Sequence, residues 1–384
     1  MTVFVELHET TSPTCGIQEA IDTLGGRGGV VELPAGEFAL RRSIQLRPGV
    51  TLRGQGAATV LKLPPLRVFD LAQDLQAHSH ELHLLPEHGL KTGDQLCVLE
   101  PRGNRWYNSR YAVVQQISGE TVATSLVYGK PETTYRVSEK AAAMTAFPAL
   151  LIAEAADVCV QSLLVQGPGS GPAVVGGIVM SEEFMHMAVN VHRSPRCRLR
   201  DLTVRQAVTD GICVGGSASD VLVTGCIAEH CGGIGLHTGG GIKGAQFIGN
   251  ISRHNRSGFL FCQGNRHVIA SGNLVHHNQT HGIWGLDAND QANIVSDNVC
   301  HHNGHHGIEA TASVNNVIRG NVCRNNSTAE PGRYAGIYLR AATGTVVQGN
   351  LCYDDQETPT QTRHVVNEEP KGQNLVTDNH ELPR

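Results

Sequence analysis

Apolar and polar residues alternate along this chain in short bursts, and from Asp210 to Cys352 the bursts recur on a fixed beat. Six segments align on a glycine followed by an apolar residue, at Gly211, Gly233, Gly258, Gly282, Gly307 and Gly336, in steps of 22, 25, 24, 25 and 29 residues. A second beat, Gly or Asp followed by Asn, falls at Asn250, Asn273, Asn298, Asn321 and Asn350. Each unit holds three alternating runs, as in Ile308-Glu309-Ala310, Asn316-Val317-Ile318 and Asn321-Val322-Cys323. Period-two alternation with β-branched residues predicts strands rather than helices. A unit of this size cannot bury its apolar side alone, so units must stack. Three short strands and three turns per unit, stacked in parallel, predict an all-β chain: a right-handed parallel β-helix rising about 4.8 Å per coil.

The pattern divides the chain into three stretches. Residues 1–75 read as a cap and the first coils. Gly16 to Gly25 predicts a short helix with Ile17, Ala20, Ile21 and Leu24 on one face, placed to cover the open end of the solenoid. Runs at Val30–Leu33, Ser43–Leu46 and Val50–Leu52 follow. Residues 76–145 lose the period and read as an inserted antiparallel β subdomain, with turns at Thr92-Gly93-Asp94 and Ser118-Gly119-Glu120. It carries the densest aromatic cluster, Trp106 to Tyr111, a candidate wall for a binding face. Residues 146–384 resume the coils. Val174 to Met180 is expected to open one that Ser181 to Pro195 interrupts, and Arg363–Val366 with Gln373–Asn379 to form a last partial coil.

Aromatics are only 4% of the chain and glycines number 44, which suits a narrow core of stacked aliphatics with glycine at its corners. A net charge of −5 gives no global attraction to nucleic acid or anionic membrane. No apolar run is long enough to span a bilayer, and the N-terminus shows no secretory signal. Eleven cysteines without a CxxC pair read as free thiols, which favours a reducing, cytoplasmic setting. Cys300, Cys323 and Cys352 recur at one place and should stack in the core as small hydrophobes.

Many polar residues recur because the turn recurs. Asn255, Asn278, Asn303 and Asn326 form a row whose amides can bond to one another and to the backbone. The pairs His276-His277 and His301-His302 extend the same logic, which favours an exposed ladder over a metal site. No cofactor is expected, and a Ca²⁺ requirement stays open with no motif behind it.

Departures from the period carry more information. With the apolar residue after each Gly pointing inward, one outward column is Cys213, Gly235, Leu260, Trp284, Glu309 and Tyr338. The other is Gly215, His237, Cys262, Leu286, Thr311 and Arg340, and just ahead of the strands lie Asp210, His281 and His306. An aromatic platform (Trp284) beside carboxylate, imidazole, phenol and guanidinium is what a sugar-processing groove needs. Hydrolysis needs two carboxylates, for which Asp287 and Glu309, one coil apart, are the candidates. His306 and Tyr338 are candidate proton carriers, and Trp284, Arg340, His237 and His281 candidate substrate-binding residues. Proton abstraction from a uronate would use His281 or His306, Tyr338 and Arg340 instead.

The Gly-Ile and Gly-Asn beat resembles the pectate-lyase-like superfamily of β-helix proteins. That resemblance implies the fold and a carbohydrate-active enzyme cleaving an oligo- or polysaccharide on the outer groove. A uronate lyase or C5-epimerase is the alternative, and a non-catalytic glycan-binding or structural β-helix the third reading. Trp284-Gly285-Leu286-Asp287-Ala288-Asn289-Asp290 is similar to the Tyr-Gly-Phe-Asp-Pro-His stretch of alginate C5-epimerases. Asp287 matches that family's Asp, while Trp284 and Asn289 stand where it has Tyr and His. Of the polygalacturonase set only His-Gly is matched, at His281-Gly282 and His306-Gly307. The expected partner is a glycan, with no nucleic acid and no membrane; self-association into a homo-oligomer stays open.

Overall fold

A computed structural model describes residues 1–6, 11–102, 105–169, 174–175, 178–179, 187–287, 289–370 and 373–382; of these, the side chains of 102, 105–108, 174, 175, 178 and 179 are outside the description. The chain is a parallel β-solenoid. One wall is a ten-stranded parallel sheet running from Ile44–Gln45 through Leu150–Ala153, Val189–His192, Ile212–Gly215, Ile234–Gly239, Ser257–Cys262, Ile283–Trp284, Ile308–Thr311 and Ala335–Arg340 to Arg363–Asn367. The other two walls are built from three-residue strands such as Val317–Arg319 and Val322–Arg324, each pairing with its equivalents one coil away. Inward positions stack as Ile212, Leu236, Phe259, Ile283, Ile308 and Ile337, all essentially without solvent contact.

Two ladders explain the sequence beats. Asn273, Asn298, Asn321 and Asn350 lie one above another; each accepts the preceding coil's Asn backbone and side-chain N–H at 2.9–3.0 Å and donates inward to a strand carbonyl. The Asn255, Asn278, Asn303 and Asn326 row bonds likewise and ends on Gln361. Its amides lie close beneath the repeated glycines: a Cβ on Gly282 would fall 2.4 Å from the Gly307 carbonyl oxygen and 2.9 Å from Asn303 Nδ2. Cys300, Cys323 and Cys352 stack in register, buried and free.

The helix Ile17–Thr23 buries Ile17, Ala20 and Ile21 against the first strands, with Leu24 beside them. Residues 68–144 form most of a second, mainly antiparallel sheet. Alternation places Leu96 and Val98 in that sheet's own core and Cys97 and Leu99 on the solenoid's. Val174–Val175 and Ile178–Val179 do not open a coil; they form a hairpin joined to this sheet through Val179 and Arg105. The coil strand in that region is Val189–His192, inside the stretch expected to interrupt it. Met180 and residues 181–186 lie outside the described residues, as do the side chains of Trp106, Tyr107 and Asn108. The last coil forms as Arg363–Asn367, Leu375–Thr377 and His380–Glu381, each paired with its equivalent one coil back. Among the described residues no helix is long and apolar enough to cross a membrane.

Candidate active site

The outer face of the ten-stranded sheet presents one column as Asn190, Cys213, His237, Leu260, Trp284, Glu309 and Tyr338. His237 therefore stands where Gly235 was expected, because Leu236, not Ile234, is in register with Ile212 and Phe259. The glycine of that coil's Gly-apolar pair is Gly235, whose absent Cβ makes room for the Asn255 amide. Leu286 also leaves its expected outward place. The strand ends at Trp284, Gly285 takes φ +88°, and Leu286 turns into the core.

Three adjacent coils bring His281, Glu309, His306, Tyr338 and Arg340 into one open pocket of about 460 Å³, closed on its far side by His305, Arg333, Tyr334 and Arg363. His281 Nε2 lies 2.8 Å from Glu309 Oε2, and Thr311 Oγ1 donates to Glu309 Oε1 at 2.9 Å. Burial alone would raise the Glu309 pKa, but these hydrogen bonds and the imidazoles overcome it and bring it to about 2. The carboxylate is thus ionised, and it fixes the His281 proton on Nε2, leaving the Nδ1 lone pair as the ring's basic position. The His281 ring stacks on Trp284 at 5.0 Å.

His306 plays another part. Its Nδ1 accepts the Ala335 backbone N–H at 2.9 Å, so in the neutral ring the proton sits on Nε2. Burial brings its pKa down to about 4 despite Glu309 nearby, so at neutral pH it is a donor, not a base. Tyr338 stacks on His306 at 4.4 Å; burial and its hydrogen bond to Glu368 raise its pKa, keeping the phenol protonated. Tyr334 stacks on His305 at 4.2 Å and carries Arg333 over its ring.

Three expected site residues do not line this pocket; one is Trp284, expected as a substrate platform, whose ring stacks on His281. Asp287 does not line the pocket. Its carboxylate oxygens accept the Gln263 and Asn289 backbone N–H groups at 3.1 and 3.2 Å, so it organises a turn together with buried Asp290. The proposed Asp287–Glu309 pair is not brought together, and Glu309 is the pocket's only carboxylate among the described lining residues. His237 is fully buried, with Nδ1 2.8 Å from Asp210 Oδ2.

The inserted sheet walls a different and larger cleft, about 790 Å³, over the earlier coils. Tyr128, Asn190, His192, Arg193 and Lys130 line it, and the Tyr128 hydroxyl lies 3.3 Å from His192 Nδ1. Sequence reasoning missed this group because it took the His192 strand for an interruption. The one cluster with metal-ligand spacing among the described residues is His276, His277 and His301. Burial and neighbouring imidazoles lower His276 to about 4 and His301 to about 3, so both are neutral at pH 7.

The sequence matches the family model described as right handed beta helix region over residues 187–352 and 285–380. Among solved structures, the A-module of an Azotobacter vinelandii mannuronan C-5 epimerase is similar at 13% identity and TM-score 0.51, covering 97% of this chain and 94% of that one. A Geobacillus virus E2 open-reading-frame product is similar at 12% identity and TM-score 0.55, covering 99% of this chain. The enzymatically active domain of bacteriophage CBA120 tailspike protein 2 follows at 12% identity and TM-score 0.53, covering 98%. This chain spans only 60% and 45% of those two viral proteins. At these identities the likeness carries the fold. No curated protein matches the sequence.

Proposed function

This chain belongs to the right-handed β-helix family, and we propose that it acts on an anionic, uronate-containing polysaccharide by abstracting the proton next to the sugar carboxylate. The observation that carries this reading is the His281–Glu309 hydrogen bond set beside guanidinium groups in one open pocket. Arg340 makes no ion pair among the described residues and lies one strand from Glu309, where it can hold the uronate carboxylate. That contact withdraws charge from the adjacent carbon and lowers the cost of forming the carbanion. His281 Nδ1 takes the C5 proton, with Glu309 balancing the imidazolium charge. In elimination the Tyr338 hydroxyl protonates the departing O4, the C4–O4 bond breaks, and a C4–C5 double bond forms. In epimerisation Tyr338 returns a proton to C5 from the other face. Trp284 stacks on the His281 ring and restricts its orientation.

Hydrolysis is the weaker reading because it needs a second carboxylate in the same pocket, and Asp287 spends both its oxygens on backbone amides. The test incubates the full chain with polymannuronate, polyguluronate and polygalacturonate. Absorbance at 235 nm reports elimination, and solvent deuterium at C5 reports epimerisation. Either signal, lost at least 100-fold in His281→Gln, supports the reading. Reducing-end release with neither signal, or activity that survives His281→Gln, refutes it.

A further inference from the structure

We propose that the histidine ladder formed by His276, His277, His301 and His302 is a binding site for one divalent transition-metal ion, Cu(II) in first preference. The strands Leu274–His276 and Val299–His301 pair in register, His276 opposite His301. The following residue in each coil, His277 and His302, takes φ of +53° and +51°, which turns its ring back beside its neighbour's. The rings therefore form two stacks, His276 on His301 at 4.8 Å and His277 on His302 at 4.9 Å, nearly parallel in both.

Within each coil the two Nδ1 atoms face each other, 2.7 Å apart in one and 2.8 Å in the next. Two imidazole nitrogens bound cis to one ion at about 2.0–2.1 Å sit about 3 Å apart, so each doublet already has the bite of a chelate. Nitrogens of His276, His277 and His301 lie within 4.8 Å of one another, which puts an imidazole of the next coil within reach of the same ion once the rings close in on it. An all-imidazole set suits Cu(II), Ni(II) and Zn(II) in that order of preference and excludes Ca²⁺ and Mg²⁺, which require oxygen ligands.

The recurring turn carries a His at its left-handed position in four successive coils, His230, His254, His277 and His302, but it does not explain the second His beside it. The same two positions are Arg253-His254 in the coil before and Arg324-Asn325 in the coil after. Histidine doublets occupy two adjacent coils only, which is enough ligands for one ion.

Copper(II) titrated calorimetrically into the full chain should bind one equivalent, and its electron paramagnetic resonance spectrum should show coupling to at least three imidazole nitrogens. His277→Asn/His302→Asn should weaken that affinity at least tenfold. Asparagine tolerates the left-handed backbone and stands at the equivalent Asn325, so the metal-free variant should unfold like the wild type. Fewer than three coupled nitrogens in the wild type overturns the proposal whether or not the variant folds. Unchanged affinity and stoichiometry in a folded variant overturns it too.

Discussion

Replacing Asn321 by alanine removes one rung from the buried amide ladder, and the structure sets the size of the effect. The side chain has no solvent contact and makes four hydrogen bonds. Its Oδ1 accepts Asn298 N and Nδ2 at 3.0 and 2.9 Å, and its Nδ2 donates to Val295 O and Asn350 Oδ1, both at 2.9 Å. Asn298 Nδ2 keeps the Ala270 carbonyl, and Asn350 Oδ1 keeps the Asn321 backbone N–H. The Asn298 backbone N–H loses its partner outright in a place water does not reach. An orphaned buried amide costs about 1–3 kcal/mol and each weakened bond about 0.5–1.5 kcal/mol, so the expected loss is about 4 kcal/mol. Urea unfolding should show it as a lower midpoint at unchanged slope. Hydrogen exchange should localise it to the Asn298 amide and its coil, since each coil rests on its neighbours. Asn289→Ala, an exposed control, should stay within about 0.5 kcal/mol. A loss under about 1 kcal/mol at Asn321 would refute the idea that the ladder, rather than the aliphatic stack alone, holds the coils in register.

Gly282→Ala should destabilise by about 1–3 kcal/mol in the same assay, because the new Cβ meets backbone rather than a movable side chain. Glu309→Gln should abolish turnover with little change in KM, since it removes the charge that balances the His281 imidazolium but leaves Arg340 to bind substrate. It should also change acid stability in a defined direction. Glu309 titrates at about 2 against an ordinary 4.5, so its contribution is present above 4.5 and fades toward 2, and the wild type's advantage over the variant should shrink across that window. Thiol labelling of the native protein should be confined to the partly exposed Cys15, Cys159 and Cys262; Cys300, Cys323 and Cys352 should react only after unfolding.

How much was legible follows from what repeats. Stacked coils require equivalent residues at equivalent places, so the Gly and Asn beats sufficed for the strands, the core and both Asn rows. The coil from Gly232 to Gly239 defeated the alignment because Gly-Gly-Ile-Gly-Leu offers two Gly-apolar pairs. The correct pair is decided by the Asn255 amide one coil on, which needs the space of a Cβ at Gly235. With Gly235 the steps become 24 and 23 residues, closer to the others. A slip of two preserves which residues face inward, so the core assignment survived while the outward column did not. His237 moved from the far edge to a place beside Cys213 and onto buried Asp210.

The same reasoning explains the pocket. Glu309, Tyr338 and Arg340 stood out in the sequence because they break their columns. Arg333 and Tyr334, which wall the pocket, did not, because they belong to no column at all. They come from the lengthened turn between Asn326 and Ala335, visible beforehand only as the 29-residue step from Gly307 to Gly336. Where a coil differs in residue type it supplies chemistry to the sheet face. Where it differs in length it builds a wall around that face. The long step adjoins the two coils that carry the odd residues, as the inserted sheet overhangs the coil of His192 at the other cleft, and that coincidence separates a built pocket from a decorated surface.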